Sequence, residues 1–221
     1  MKRSDVNQYI DYAMKFMAEN KFCLPPWAYW TPSDWEQMKD RCEEIFENGL
    51  GWDITDFGSG DFINTGLTLV TLRNGNLVTP SKQYCEKIML VRNSQVTPPH
   101  YHVLKTEDII NRTGGLLCMK LWNSAPDGSL SEGLLEVKID SITTTIRSGE
   151  KICLKPGQSI CYIPYLYHTF WAEGGNCLVG EVSSVNDDKT DNRFLEERGR
   201  FSAIDEDAPI LHYLCNEYPQ K

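Results

Sequence analysis

Along the chain, the spacing of hydrophobic residues changes once, near residue 65. Before that point Val6, Ile10, Ala13 and Met17 recur at three- and four-residue intervals behind Ser4, which predicts an amphipathic helix capped by that serine. The prolines of LPPWAYWTP (24–32) then break the chain, because two in succession cannot continue a helix. SDWE at 33–36 has the form of a capping box. It predicts a second helix that turns Trp35, Met38, Cys42, Ile45 and Phe46 inward and ends at Asn48-Gly49.

Beyond residue 65 the pattern becomes that of strands. LTLVTLRNGNLV carries Asn74-Gly75, a tight-hairpin signal. YCEKIMLV, GLLCMKLW, LEVKID, ITTTIRSG, KICLKPG, QSICYIP and CLVGEVSSV follow, rich in β-branched and aromatic residues and punctuated by Gly, Pro, Asn and Asp. Many short strands without intervening helices predict a mainly β, antiparallel sandwich or barrel. From 186 onward the chain is acidic and full of turn signals. The expected plan is one structural domain. A helical N-terminal segment (1–64) packs on a jelly-roll β-barrel (65–185), and a C-terminal arm (186–221) wraps back over the barrel mouth.

Charge and composition remove several function classes. A net charge of −9 leaves no basic face for the phosphates of a nucleic acid. No run of eighteen apolar residues occurs, so no membrane-spanning helix is expected. MKRSDVNQYIDYAMKFMAEN reads as an amphipathic helix and not as a signal peptide. The eight cysteines form no CxxC pair and several sit in strand-like runs, so buried reduced thiols and a cytoplasmic location are expected.

The chemistry concentrates in the histidines, of which there are only four. In a strand, His100 and His102 of TPPHYHVLKTED project to the same face, and Glu107 can fold back to the same point after a turn. Pro98-Pro99 stiffens the approach. YIPYLYHTFW supplies His168 on another strand-like run. A lone histidine among aromatics is usually a hydrogen-bonded core residue, and His212 is read that way. Three that can converge with a carboxylate are read as a metal site. The mixed N/O set suits a divalent first-row ion (manganese, iron, cobalt, nickel or zinc) better than calcium or magnesium.

HYHVLKTEDIINRTGG resembles the first motif of the cupins: HxH, Glu107 after four residues, Gly114 after six more. PGQSICYIPYLYHTF is similar to the second motif, departing from it in having no glycine between Pro164 and His168. More specifically, LPPWAYWTP, GWDITDFGSGDF, HVLKTEDIINR, VNDDKTDNRF and the FSAIDEDAP to LCNEY tail resemble the bacterial D-lyxose isomerases over essentially the whole chain. The resemblance implies a cupin-type barrel and an aldose–ketose isomerase taking D-lyxose to D-xylulose, and often D-mannose to D-fructose. It further implies Mn²⁺ as the favoured ion, with Fe²⁺ or Co²⁺ accepted. Four protein ligands on an octahedral ion leave two positions for adjacent sugar oxygens, and the net charge of the site suits an enediolate.

A base must also carry the proton between C1 and C2. Glu206, next to Asp207 on the arm, is the favoured base, and Glu181, a carboxylate in an apolar strand, is a second candidate. Lys105, inside the metal motif, is expected to have a lowered pKa and to polarise the carbonyl or donate a proton. Trp27, Trp30, Trp52, Tyr165 and Tyr167 are candidates for stacking on the sugar. Asp53, Asp56, Asp187, Asp188, Asn192 and Arg193 are candidates for its hydroxyls, with a plain turn network as the alternative. Competing readings are a metal-dependent cupin dioxygenase and a non-catalytic cupin that binds or stores sugar. A sugar-phosphate isomerase fits less well, because the candidate loops are acidic. A homodimer is expected on general grounds of symmetry.

Overall fold

A computed structural model describes residues 1–78 and 82–219. Helix α1 (Arg3–Glu19) buries Val6, Ile10, Ala13 and Met17, as their spacing predicts. Lys2, not Ser4, is its N-cap, and the Ser4 hydroxyl instead donates to Asp207 at 2.8 Å. The second predicted helix is broken into α2 (Pro32–Met38), a 3₁₀ turn (Lys39–Arg41) and α3 (Glu43–Glu47). Its cap lies two residues earlier than SDWE suggested. Thr31 takes the capping position, Asp34 reaches back to the Thr31 N–H at 2.8 Å, and Pro32 opens the first turn.

The strands are β1 (Gly51–Thr55), β2 (Leu67–Arg73), β3 (Cys85–Val91), β4 (Thr97–His102), β5 (Glu107–Ser124) and β6 (Leu130–Ser131). They continue as β7 (Leu134–Ile139), β8 (Ile142–Arg147), β9 (Ile152–Leu154), β10 (Ser159–Tyr162), β11 (Leu166–Ser183) and β12 (Asn192–Phe194). All named pairings are antiparallel. The main path is open, in the order β1-β2-β3-β11-β5-β10-β7-β8, so this is a jelly-roll-type fold and not a barrel closed by hydrogen bonds. Asn74-Gly75 does not make a tight hairpin. β2 ends at Arg73 and β3 starts at Cys85, and the Asn74 side-chain amide is engaged by the carbonyls of Asn48 (3.0 Å) and Asn186 (2.9 Å).

The long strands β5 and β11 run side by side for most of their length and change neighbours midway. Residues 166–173 of β11 lie between β5 and β4, whereas residues 177–183 lie between β5 and β3. The register shifts between Glu173 and Cys177. Gly114 lies opposite this shift at φ +102, where an added Cβ would fall 2.1 Å from the Asn176 carbonyl oxygen. Leu117, Met119, Phe170 and Ala172 from one half pack with Leu69, Met89, Ile109 and Val179 from the other, forming the central core. A second core lies outside β1–β3, where α1 covers Trp52, Ile54, Val70, Ile88 and Leu90. β2 and β3 are therefore buried on both faces.

One cysteine expectation is overturned. Cys118 on β5 and Cys153 on β9 stand directly opposite each other and are joined by a disulfide; the other six cysteines are free. Among the described residues no helix is long and apolar enough to cross a membrane.

Candidate active site

Strand alternation points His100 and His102 of β4 into the space between the sheet halves, and His168 of β11 is the cross-strand partner of His100. Glu107, the first residue of β5, completes the group. All four are buried. His168 Nε2 lies 3.1 Å from His100 Nε2, and Glu107 Oε1 lies 3.4 Å from Nε2 of both His102 and His168. Ligand nitrogens of the three histidines can be chosen within 4.8 Å of one another. Around an octahedral ion with bonds of about 2.1–2.2 Å, neighbouring ligand atoms stand about 3.0 Å apart. The donor set therefore fits a divalent ion.

The outer ring nitrogens are fixed from behind. His100 Nδ1 bonds the Pro98 carbonyl at 2.8 Å and His168 Nδ1 bonds the Leu166 carbonyl at 3.0 Å. This holds Nε2 as the inward lone pair, the usual outer support of a metal-binding imidazole. Asp191 Oδ2 lies 3.8 Å from His102 Nδ1, and Asp191 is itself held by the Leu104 and Lys105 amides. Burial, then the neighbouring imidazoles, keeps His100 well below the ordinary histidine range; burial also takes His168 down to about 4. Both are thus neutral, as ligation requires.

Lys105 Nζ reaches Glu107 at 2.6 Å and Glu181 at 2.9 Å. Burial by itself would lower its pKa, but the two carboxylates outweigh burial and raise it, the reverse of the sequence expectation. Burial likewise opposes the charged form of Glu107 and Glu181, and the lysines beside them win, so both carboxyls titrate below the usual range. Lys87 and Asp188 line the same cavity, as does Arg200, which pairs with Asp188 at 3.1 Å. Its Nη1 also forms an ion pair with buried Asp53 Oδ2 at 2.6 Å. Phe57, Phe170 and Phe194 supply apolar wall.

The model of the D-lyxose isomerase family matches residues 1–218 of this sequence. The chain belongs to the D-lyxose isomerase family. It is 47% identical to a D-lyxose/D-mannose isomerase of Escherichia coli O157:H7, with 100% of this chain and 99% of the relative aligned. A D-lyxose/D-mannose isomerase of Serratia proteamaculans is 47% identical over 99% of this chain and 98% of its own. Membership of the D-lyxose isomerase family makes this an enzyme of the aldose–ketose isomerase class. Among solved structures, Cellulomonas parahominis L-ribose isomerase with L-psicose superposes with a TM-score of 0.60 at 16% identity, covering 93% of this chain and 98% of the other. The complex of Acinetobacter sp. DL28 L-ribose isomerase with L-ribose gives a TM-score of 0.60 at 14% identity over the same shares. At such identities the likeness is one of fold, and it fits the cupin-type architecture.

In this D-lyxose isomerase family member, the residues brought together at the cavity are His100, His102, Lys105, Glu107, His168, Glu181, Asp188 and Asn192. Several predicted residues lie elsewhere. Glu206, the favoured base, forms an ion pair with Arg3 and its side chain is 55% exposed. Trp27 packs against the α1 core, and Trp52 is buried there with Nε1 donating to the Ala28 carbonyl at 2.7 Å. Asp56 folds a turn, accepting from the Gly58 and Gly60 amides and from the Ser202 hydroxyl. Asp187 caps a similar turn at Lys189 and Thr190.

Arg193 is exposed, donating to the Thr190 and Asn192 carbonyls, because it pairs with outward Tyr101 while its neighbour Phe194 pairs with His100. Tyr165 is exposed and packs on Tyr101, 5.4 Å between ring centres. Tyr167, adjacent to His168 on a strand, faces away from it and also meets Tyr101. Reading the sequence missed Lys87, Arg200 and Asp191. Lys87 carried the same signal as Glu181, a charge inside an apolar strand; Arg200 in EERGRF carried none.

Proposed function

We propose that this chain interconverts D-lyxose and D-xylulose, and D-mannose and D-fructose, with a divalent ion held by His100, His102, His168 and Glu107. Manganese is favoured, and the same donors accept iron or cobalt. The observation that carries the reading is the convergence of three inward Nε2 atoms and Glu107 Oε1 inside a polar cavity. Such an ion, when bound, polarises a sugar carbonyl and offsets the negative charge that develops as the neighbouring C–H proton leaves.

The chain's own groups supply the rest. Glu181 is the reading for the base that carries the proton between C1 and C2. Its Oε1 is bound by Lys105 and Ser183, whereas Oε2 has no hydrogen-bond partner among the described residues. Lys105 is engaged by Glu107, Glu181 and Asn186, so it clamps two carboxylates instead of donating to the sugar. Asp188, Asn192 and Arg200 are the polar, part-exposed groups of the cavity wall and suit sugar hydroxyls. The test is a ketose assay on protein stripped with chelator and reloaded with Mn²⁺ under nitrogen. Metal-dependent D-xylulose from D-lyxose without oxygen is the expected result. No ketose from either D-lyxose or D-mannose would remove the assignment, and oxygen uptake would revive the dioxygenase.

A further inference from the structure

Lys87 has no place in the scheme above, yet it is a buried ammonium on β3, whose other inward residues Cys85, Met89 and Val91 are buried. Its cross-strand partner on β11 is Glu181. Lys87 Nζ stands 2.7 Å from Asn186 Oδ1 and 3.3 Å from Glu181 Oε1. Asn186 is a fixed acceptor, because its amide donates to Asn74 Oδ1 at 3.0 Å and its carbonyl accepts from the Asn74 amide at 2.9 Å. Glu181 Oε1 also receives Lys105 Nζ at 2.9 Å and the Ser183 hydroxyl at 3.1 Å. One oxygen of the carboxylate is thus crowded with donors from three directions, while the other has none among the described residues.

We infer that Lys87 is a positioning residue: braced on Asn186, it anchors Oε1 of Glu181 so that Oε2 is presented to the substrate. Charge balance supports this. The charged groups facing Glu181 are Lys87 from β3, Lys105 from the loop before β5 and Glu107 from β5, with Asp188 and Arg200 beyond Lys87. Lys105 is shared with Glu107, so without Lys87 two carboxylates would depend on one ammonium. A purely neutralising role would not require the bond to Asn186, which fixes where the ammonium sits. The inference rests on the reading of Glu181 as the base.

The test compares Lys87→Met, Lys87→Gln and Lys87→Arg with wild type, each loaded with Mn²⁺ and assayed on D-lyxose for kcat, KM, bound metal and pH profile. Lys87→Gln keeps a donor for Asn186 without the charge, and it reads the same point if Lys87→Met does not fold. For the neutral variants we expect unchanged metal content, KM within about threefold and kcat down at least about tenfold. The acid limb of the kcat profile moves up by about one pH unit, because a carboxylate that loses a neighbouring cation binds its proton more tightly. Lys87→Arg recovers the limb. A kcat within twofold of wild type, an unmoved acid limb, or loss of bound metal would each overturn the role. Glu181→Gln separates the two levels. If it still exchanges the C2 proton at the wild-type rate, the base reading fails and this inference with it. If it is inactive while the neutral Lys87 variants behave as wild type, only the role of Lys87 falls.

Discussion

Two clusters in this fold are built around buried cations. At one, the Arg3 guanidinium (side chain 1% exposed) meets the carboxylates of Glu206 and Glu217, tying the start of α1 to the C-terminal tail. Its Nε, Nη1 and Nη2 all donate, and both oxygens of each carboxylate accept. At the other, Lys87 and Lys105 meet Glu107 and Glu181, but ligand nitrogens of three imidazoles converge within 4.8 Å and Glu181 Oε2 has no hydrogen-bond partner among the described residues. Each joins a buried cation to carboxylates. The difference is closure: the first cluster has used its hydrogen-bonding capacity on itself, and the second has kept some for a visitor. Glu206 looked like a base in the sequence because residue type shows charge and cannot show whether the oxygens are already occupied.

The comparison can be broken most directly at the ligands. His168→Ala or Glu107→Ala should lose the bound ion and lower turnover about 10³-fold or more. A variant that keeps a full complement of metal would remove that residue from the set. Glu181→Gln should keep the metal and lose about 10²- to 10⁴-fold in kcat; wild-type C2 proton exchange would count against it.

Acid supplies a third test, on metal-free protein. The unfolded chain takes up a proton near pH 6.5 that folded His168 resists until about 4, so stability falls as pH drops through that window. The loss from this residue reaches about 3 kcal/mol at the acid end. Buried His100 acts in the same direction, and Glu107, whose folded carboxylate is held low, adds to the loss at lower pH. Equal denaturant midpoints at pH 7 and pH 4.5 would contradict this account. The smallest effect is expected in the closed cluster. Glu206→Gln, at a half-exposed pair, should cost under about 1 kcal/mol and leave turnover within about twofold of wild type. A large fall in kcat there would restore Glu206 as a candidate.

Legibility followed the range of the interaction. His100, His102 and Glu107 declared themselves through local spacing, and His168 through the scarcity of histidines. The strands and α1 were visible as periodicity. Arg200 was not, because its partners Asp53 and Asp188 reach it only through the tertiary fold. The Cys118–Cys153 bond depends on the register of β5 against β9, which composition does not encode. Asn74-Gly75 misled because local propensity cannot show that two distant carbonyls take up the Asn74 amide. The stacking aromatics failed for the simplest reason: an aromatic serves a core as readily as a sugar, and Trp52 serves the core.

The register shift in β11 sets what amounts to a reading frame. Before it, the even-numbered Phe170 and Ala172 face the central core; after it, the odd-numbered Cys177 and Val179 do. Straight alternation would put His168 and Glu181, one even and one odd, on opposite faces. The irregularity between Glu173 and Cys177 lets both line one cavity. Deleting one residue between 174 and 176 would remove no functional side chain, yet it would turn Glu181 toward the α1 layer and bring Leu178 round to the cavity side. For this strand, then, length is inherited as strictly as identity.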